Sequence, residues 1–181
     1  DRALRVNVEG TLNLLDACAA AGVKRVVVAS TGAVYADSPH SLTANSVVAP
    51  IDIYGWSKWF AEELCRAHPA GAELGITIAR LFNTFGPRET NAHVVPEIVQ
   101  QIWSGETIRL GNTTAQRDYI YVRDCASALV RLSRADDARA LTVNVGTGEA
   151  VSVAELVELM GDILGRNLFI EADPRQTQAR R

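Results

Sequence analysis

The sequence predicts an α/β protein built around a parallel sheet, and three observations lead there. Two near-continuous apolar runs rich in β-branched residues, "RVVVAS" (25–30) and "GITIARLF" (75–82), lack polar alternation, as strands covered on both faces do. Each follows a stretch of helical period, over 2–21 and 53–67. The joints between helix and strand are short, and helix, strand, helix, strand in that order lays the strands parallel.

Taken in order, residues 2–21 place Leu4, Val8, Leu12, Leu15 and Ala19 on one helical face, and Gly22 is set to end that helix from the left-handed region. A loop runs from the first strand to about residue 52. Helix 53–67 carries Trp56, Phe60 and Leu64 on one side. After the second strand, "NTFGPRETNA" (83–92) reads as a loop. A helix over 94–104, a strand "TIRL" (107–110) and a strand "DYIYV" (118–122) follow. Residues 124–135 read as helix and "LTVNVG" (141–146) as strand. Ser152 and Glu155 form a capping box that starts a helix running to about Leu164. "LFI" (168–170) is the last expected strand.

The chain has 181 residues, one domain's worth or slightly more, with 48% hydrophobic and 22% charged residues, which suits a soluble globular protein. Its net charge of −3 supplies no broad basic field, so a nucleic-acid partner is not expected; Arg175, Arg180 and Arg181 read as a solvated tail. No apolar run approaches the roughly 18 residues of a membrane span, and the opening "DRALRVNVEG" is too charged for a signal peptide, so no membrane partner and a cytoplasmic setting are expected. Cys18, Cys65 and Cys125 lie far apart and make no metal spacing with His40, His68 or His93; buried thiols and no metal are the expectation.

The chemistry concentrates in "YGWSK" (54–58). On a helix, Tyr54 and Lys58 share a face. A tyrosine works as a base when a nearby ammonium stabilises its phenolate, and such a pair can move a proton between a hydroxyl and a carbonyl. Tyrosine and lysine four apart also occur on ordinary exposed helices, so the spacing alone leaves both readings open. The strand ends favour the catalytic one. "STGAVY" (30–35) puts Thr31 just past the first buried strand, and "ARLFNTFGPR" (79–88) puts Asn83 and a Gly-Pro turn past the second. Open α/β sheets place their sites at such ends.

These stretches, with "NVEGTLNLLDA" (7–17), "QRDYIYVRD" (116–124) and "NVGTGE" (144–149), resemble the extended short-chain dehydrogenase/reductases. The closer resemblance is to the NAD-dependent nucleotide-sugar epimerases and dehydratases of that family, of the UDP-glucose 4-epimerase kind. The resemblance implies that residues 1–82 are the remaining part of a Rossmann-like, doubly wound NAD-binding domain holding the Thr/Tyr/Lys site. It implies that residues 83–181 are mainly a small α/β substrate-binding region, with helix 124–135 and strand 141–146 returning to the core. Tyr54 would be the acid/base, Lys58 would bind the nicotinamide ribose and tune Tyr54, and Thr31 would bond the reacting sugar hydroxyl. Phe82 would help place the NAD, and Asn83 would meet the substrate near its diphosphate. His93 and Val94 would add nucleotide contacts. Ile108, Arg109 and Leu110 would run beside the base, and Arg117 would clamp the diphosphate, which a guanidinium fork suits. For Arg117 the bland alternative is a salt bridge with Asp118 or Asp124, and for Asn7 a structural hydrogen bond is expected. The partner implied is a nucleotide-diphosphate sugar. A homodimer would pair the helices bearing Leu12, Trp59 and Leu64.

Two departures qualify the resemblance. No GxxGxxG or GxGxxG occurs, and "GTGE" (146–149) follows a late strand and lacks a third glycine. The sequence therefore reads as lacking the family's N-terminal glycine-motif half, and the 181-residue polypeptide is expected to be poorly soluble by itself. Dehydratases of the family carry an Asp-Glu pair directly after the threonine; here Gly32 and Ala33 stand there, with no proton to exchange. Elimination is thus disfavoured, and a 4-epimerase acting by transient oxidation at C4 is the expectation. The alternatives are another redox enzyme of the superfamily (a UDP-glucuronate decarboxylase or a carbonyl reductase) or a catalytically silent binding module.

Overall fold

The computed structural model describes residues 2–136 and 140–173, so the basic residues Arg175, Arg180 and Arg181 lie outside the described residues. The chain forms two compact units: Asp1–Thr84 with Ile120–Gly146, and Phe85–Tyr119 with Thr147–Arg181.

In the first unit, a helical run opens with α1 (Arg2–Leu4), passes through a π-helical turn (Arg5–Glu9) and continues as α2 (Gly10–Ala20). The π turn departs from the uninterrupted α-helix expected over 2–21: the Gly10 amide reaches back five residues, to the Arg5 carbonyl. The C-terminus matches the sequence. Gly22 has φ +67°, its amide bonds the Ala19 carbonyl at 3.1 Å, and the Val23 amide bonds the Cys18 carbonyl at 3.0 Å, the pairing that closes a helix through a left-handed residue.

Strand β1 (Val26–Thr31) pairs in parallel with β2 (Ile76–Leu81), and β2 with β7 (Thr142–Val145), in the order β1-β2-β7. One face is covered by α2, α3 (Ile53–Ala67) and the short α4 (Gly71–Leu74), where Leu15, Cys65, Leu74, Ile76 and Ile78 cluster. The other face carries α6 (Val122–Arg134), with Ala79, Ile120, Cys125 and Val145 buried. Helices on both faces of a parallel sheet make this a doubly wound, Rossmann-like arrangement. β2 is buried through its first five residues, but β1 is only half buried over Val26–Val28, against the expectation of cover on both faces. The reason is position: among the described strands β1 has a neighbour on one side alone.

In the second unit, α5 (Val94–Ile102) and α7 (Val153–Leu164) enclose a core of Ile98, Ile102, Ile108, Leu110, Val153, Leu156 and Val157. Each fully buried side chain of that size contributes about 1.5–3 kcal/mol. Strand β4 (Thr107–Leu110) pairs in parallel with β9 (Phe169–Ala172), and β5 (Gln116–Arg117) pairs antiparallel with β8 (Val151–Ser152). The capping box of Ser152 and Glu155 is formed in both directions, and Gly165, at φ +63°, ends α7. Arg166 donates to the Ile102 and Gly105 carbonyls at 2.9 and 3.0 Å, satisfying the C-terminal end of α5.

Several boundaries differ from expectation. α5 ends two residues early, at Ile102, and α6 begins at Val122 instead of 124. Short strands β3 (Asn83–Phe85) and β6 (Tyr119–Tyr121) stand where a loop and a longer strand were expected. Two- and three-residue strands carry no readable period. Trp59 is half buried, and its ring lies 5.1 Å from the Arg66 guanidinium and 6.0 Å from that of Arg80. Of the other residues named for a dimer, Leu12 is exposed and Leu64 half buried. No described helix is long and apolar enough to cross a membrane.

Candidate active site

Helix α3 starts where Asp52 caps it: Asp52 Oδ1 accepts the Gly55 amide at 2.7 Å. It then runs against the C-terminal end of β1. A Cβ built on Gly55 would lie 2.6 Å from the Ala33 carbonyl oxygen, so only glycine allows the helix to approach the turn after β1 this closely. One turn later Lys58 Nζ donates to the Ala29 carbonyl at 3.0 Å. Burial holds the Lys58 ammonium below its ordinary pKa. Ser57, fully buried, donates to the Tyr54 carbonyl at 2.7 Å and accepts from Asn7 Nδ2 at 2.9 Å, so the π turn anchors the base of α3. Asn7 thus makes a helix-to-helix hydrogen bond. Tyr54 is 45% exposed, and its hydroxyl has no partner among the described residues.

Thr31 closes β1 and starts a 3-10 turn over Gly32–Val34, where its Oγ1 accepts the Ala33 amide at 3.2 Å. The hydroxyl therefore serves the turn as acceptor and keeps its own proton to donate. The Phe82 ring lies 3.5 Å from where a Gly32 Cβ would sit, and the Phe82 amide is fixed to the Val145 carbonyl at 3.0 Å. Asn83, next in sequence, is exposed. Thr31, Lys58 and Phe82 are thus each fixed at the C-terminal ends of β1 and β2, and Tyr54 stands one turn before Lys58 on α3.

Behind this rim lies a charge network that the sequence analysis missed. Glu62 is fully buried, and Arg80 and Ser30 are 2% and 4% exposed. Glu62 Oε1 accepts from Ser30 Oγ at 2.5 Å and Arg80 Nε at 2.9 Å; Oε2 accepts from Arg80 Nη2 at 2.7 Å and Arg66 Nη2 at 2.9 Å. Burial pushes the Glu62 carboxyl upward, but the bonds from Arg80, Ser30 and Arg66 outweigh it and hold it below the usual carboxylate value. Burial likewise works against the Arg80 charge, and Glu62 and Tyr35 together keep that guanidinium above its ordinary value. Arg80 also lies 4.7 Å from the Tyr35 ring centroid, and Tyr35 donates to Asn144 Oδ1 on β7 at 2.5 Å. The signal in the sequence was a lone arginine inside the apolar run "GITIARLF", which cannot be buried without a partner.

The remaining predicted residues belong to the second unit. Ile108 and Leu110 are core side chains, at 0% and 2% exposure, so what β4 offers outward is backbone, Thr107 and Arg109. Arg109 Nε bonds Glu171 Oε2 at 2.9 Å, and its main chain is held from both sides by the Gln101 amide. His93 stands at the start of α5 with Nδ1 2.5 Å from Glu89 Oε1, and Val94 packs on the core. Arg117 is exposed, and its only described side-chain bond is to the Gln116 carbonyl, at 2.7 Å. The Asp118 carboxylate is occupied by the Thr147 amide and hydroxyl and the Gly148 amide, at 2.8–2.9 Å.

The rim fits the ribose end of a nicotinamide nucleotide. Lys58 uses one of three ammonium donors on Ala29 and keeps two for hydroxyl oxygens, with the Phe82 ring alongside Gly32 at the strand ends.

Fold and rim together define a doubly wound α/β protein whose candidate site residues Thr31, Lys58 and Phe82 lie at the C-terminal ends of parallel strands. The chain belongs to the NAD dependent epimerase/dehydratase family, whose model matches residues 1–146. NAD is the cofactor of that family. Over 188 residues the chain is 31% identical to the UDP-glucose 4-epimerase of Corynebacterium glutamicum, covering 94% of this chain and 57% of that protein. It is 32% identical over 193 residues to the GDP-6-deoxy-D-mannose reductase of Pseudomonas aeruginosa, covering 99% and 63%. The solved structure of MoeE5 in complex with UDP-glucose and NAD superposes with a TM-score of 0.78 at 31% identity, covering 98% of this chain and 64% of that one. The chain thus spans between about half and two thirds of the length of these relatives.

Proposed function

We propose that the complete protein is a nucleotide-sugar 4-epimerase, with UDP-glucose and UDP-galactose as its substrate pair. The observation that carries this reading is the fixed end of β1. Lys58 is tied to Ala29, and Thr31 keeps a hydroxyl proton to donate. Tyr54 stands one turn before Lys58 on the same helix, with a hydroxyl that has no partner among the described residues.

Thr31 donates to the sugar 4-oxygen and orients it. Tyr54 removes the 4-hydroxyl proton and later restores it. Lys58 holds the ribose with its two remaining donors, and its positive charge favours the phenolate form of Tyr54. Bound NAD supplies a reversible hydride acceptor. Inversion at C4 would then require the 4-keto sugar to present its opposite face before the hydride returns to C4 and the proton to its oxygen. Gly32 and Ala33 offer no acid or base for eliminating water, and Phe82 fills the space beside Gly32. In this reading Asn83 meets the substrate, Arg117 takes the diphosphate, and His93, Val94 and the β4 segment Ile108–Leu110 line the nucleotide. The protein acts in the cytoplasm as a homodimer.

The test is to incubate the full-length protein with UDP-galactose and look for UDP-glucose. Tyr54→Phe should abolish turnover while leaving nucleotide binding largely intact. Turnover preserved in that variant would remove Tyr54 from the mechanism. A second reading, a reductase of a nucleotide-linked keto sugar, is favoured by the identity to the mannose reductase. Net consumption of reduced cofactor with a keto-sugar substrate, and no UDP-glucose from UDP-galactose, would select it.

A further inference from the structure

We infer that Glu62, acting through Ser30 and locked by Arg80, is a positioning residue that sets the register of the Tyr54–Lys58 helix against the end of β1. This rests on the reading of Tyr54 and Lys58 as the reacting pair. Tyr54, Lys58 and Glu62 are spaced four apart, so they follow one stripe of α3. On the adjoining face, Gly55, Lys58 and Glu62, spaced i, i+3 and i+7, meet the end of β1 and the turn after it at three points. Gly55 abuts the Ala33 carbonyl, Lys58 bonds the Ala29 carbonyl, and Glu62 bonds the Ser30 hydroxyl. Ala29 and Ser30 immediately precede Thr31, so the strand atoms that receive α3 are those that carry the threonine.

The three contacts differ in kind. The glycine contact sets how closely the helix approaches but leaves it free to slide. The lysine contact sits on a long side chain that also has to serve a ligand. The Glu62 contact is short, fully buried and held from the far side by a two-bond guanidinium fork on β2, where Arg80 lies in register with Ser30. A carboxylate fixed at both oxygens by four donors leaves the helix little freedom along or around its axis. Arg80 also donates to the Ala44 carbonyl at 3.1 Å, which ties the loop between β1 and α3 to the same anchor. Glu62, Ser30 and Arg80 are buried, so the effect of the network is on the placement of the groups that α3 and β1 present.

The test uses the full-length protein and Ser30→Ala, which removes one donor and leaves every charge paired. With UDP-galactose, kcat should fall about tenfold while KM stays within about twofold, because misplacement of a reacting group costs the transition state and not the bound ground state. Ser30→Thr, which restores the hydroxyl, should recover most of kcat. Without ligand, amide hydrogen exchange at residues 54–62 should speed up in Ser30→Ala while residues 153–164 keep the parent rates. Glu62→Asp, which keeps the charge but shortens the reach, should show the same kcat and KM pattern more strongly. Parent values of kcat and of exchange in Ser30→Ala overturn the proposal. So does a fall in kcat matched by a rise in KM and faster exchange throughout, since that pattern belongs to general loosening. Tyr54→Phe run in parallel separates the two levels. If it is inactive while Ser30→Ala is unchanged, only the positioning role falls; if it is active, the reading of the site falls and the positioning role with it.

Discussion

At the scale of single residues, the site depends on groups whose ordinary chemistry is altered by where they sit. Lys58 is the clearest case. Burial lowers its folded pKa below the ordinary 10.5, so the folded protein releases this proton before the unfolded chain does. Below the folded pKa the buried ammonium costs stability; as pH rises through that value toward 10.5 the cost disappears. The stability of the parent relative to Lys58→Met should therefore rise across that alkaline interval, measured by urea unfolding of both proteins at matched pH. A flat difference would mean that the lysine is solvated. Glu62 behaves in the opposite sense. Its folded pKa lies below the ordinary 4.5, so its stabilisation is fully present above that value and is lost as pH falls through the folded pKa. Glu62→Gln should accordingly flatten the acid side of the stability curve. The Cys65 thiol, pushed up to about 11 mainly by burial, should react slowly with thiol reagents at neutral pH while the protein is folded.

At the scale of elements, Gly55 reverses the usual rule. In an open helix, replacing glycine by alanine stabilises by about 1 kcal/mol. Here the added Cβ would meet the Ala33 carbonyl at 2.6 Å and Pro50 at 3.0 Å, so Gly55→Ala should destabilise by about 1–3 kcal/mol. Chemical denaturation reads the sign directly. Asp52→Ala, which removes the cap of the same helix, should cost about 0.5–2 kcal/mol. Elements of this length were largely legible in the sequence. The apolar runs fixed the position of β1 and β2, Gly22 marked the end of α2, and Ser152 with Glu155 marked the start of α7. The candidate rim residues Thr31 and Lys58 were legible for the same reason, since strand ends and helical spacing are local properties. What stayed hidden was the π turn, which has the same apolar spacing as an α-helix until its one wider turn closes. The Ser30–Glu62 bond also stayed hidden, because it joins residues 32 apart and leaves no local period.

At the scale of the whole molecule, β1 presents one free edge among the described strands and β2 none. The surface of the first unit also carries Val6, Leu14, Ile51, Ile53, Trp56 and Phe60, all at least 42% exposed. An unpaired edge is a template for another strand. The 181-residue chain alone should therefore self-associate at micromolar concentration, seen as polydispersity in light scattering; a monodisperse monomer that melts in one cooperative step would contradict this. The network of Ser30, Glu62, Arg66 and Arg80 has a different consequence, for how such a sequence can change. Deleting one member of a buried ion pair costs about 3–5 kcal/mol, a large part of the 5–15 kcal/mol that holds a domain folded. Exchange of Glu62 and Arg80 together for well-fitted apolar side chains can be close to neutral. Stepwise drift through either single replacement would pass through a barely folded ancestor, so these two positions are expected to mutate as a couple or not at all.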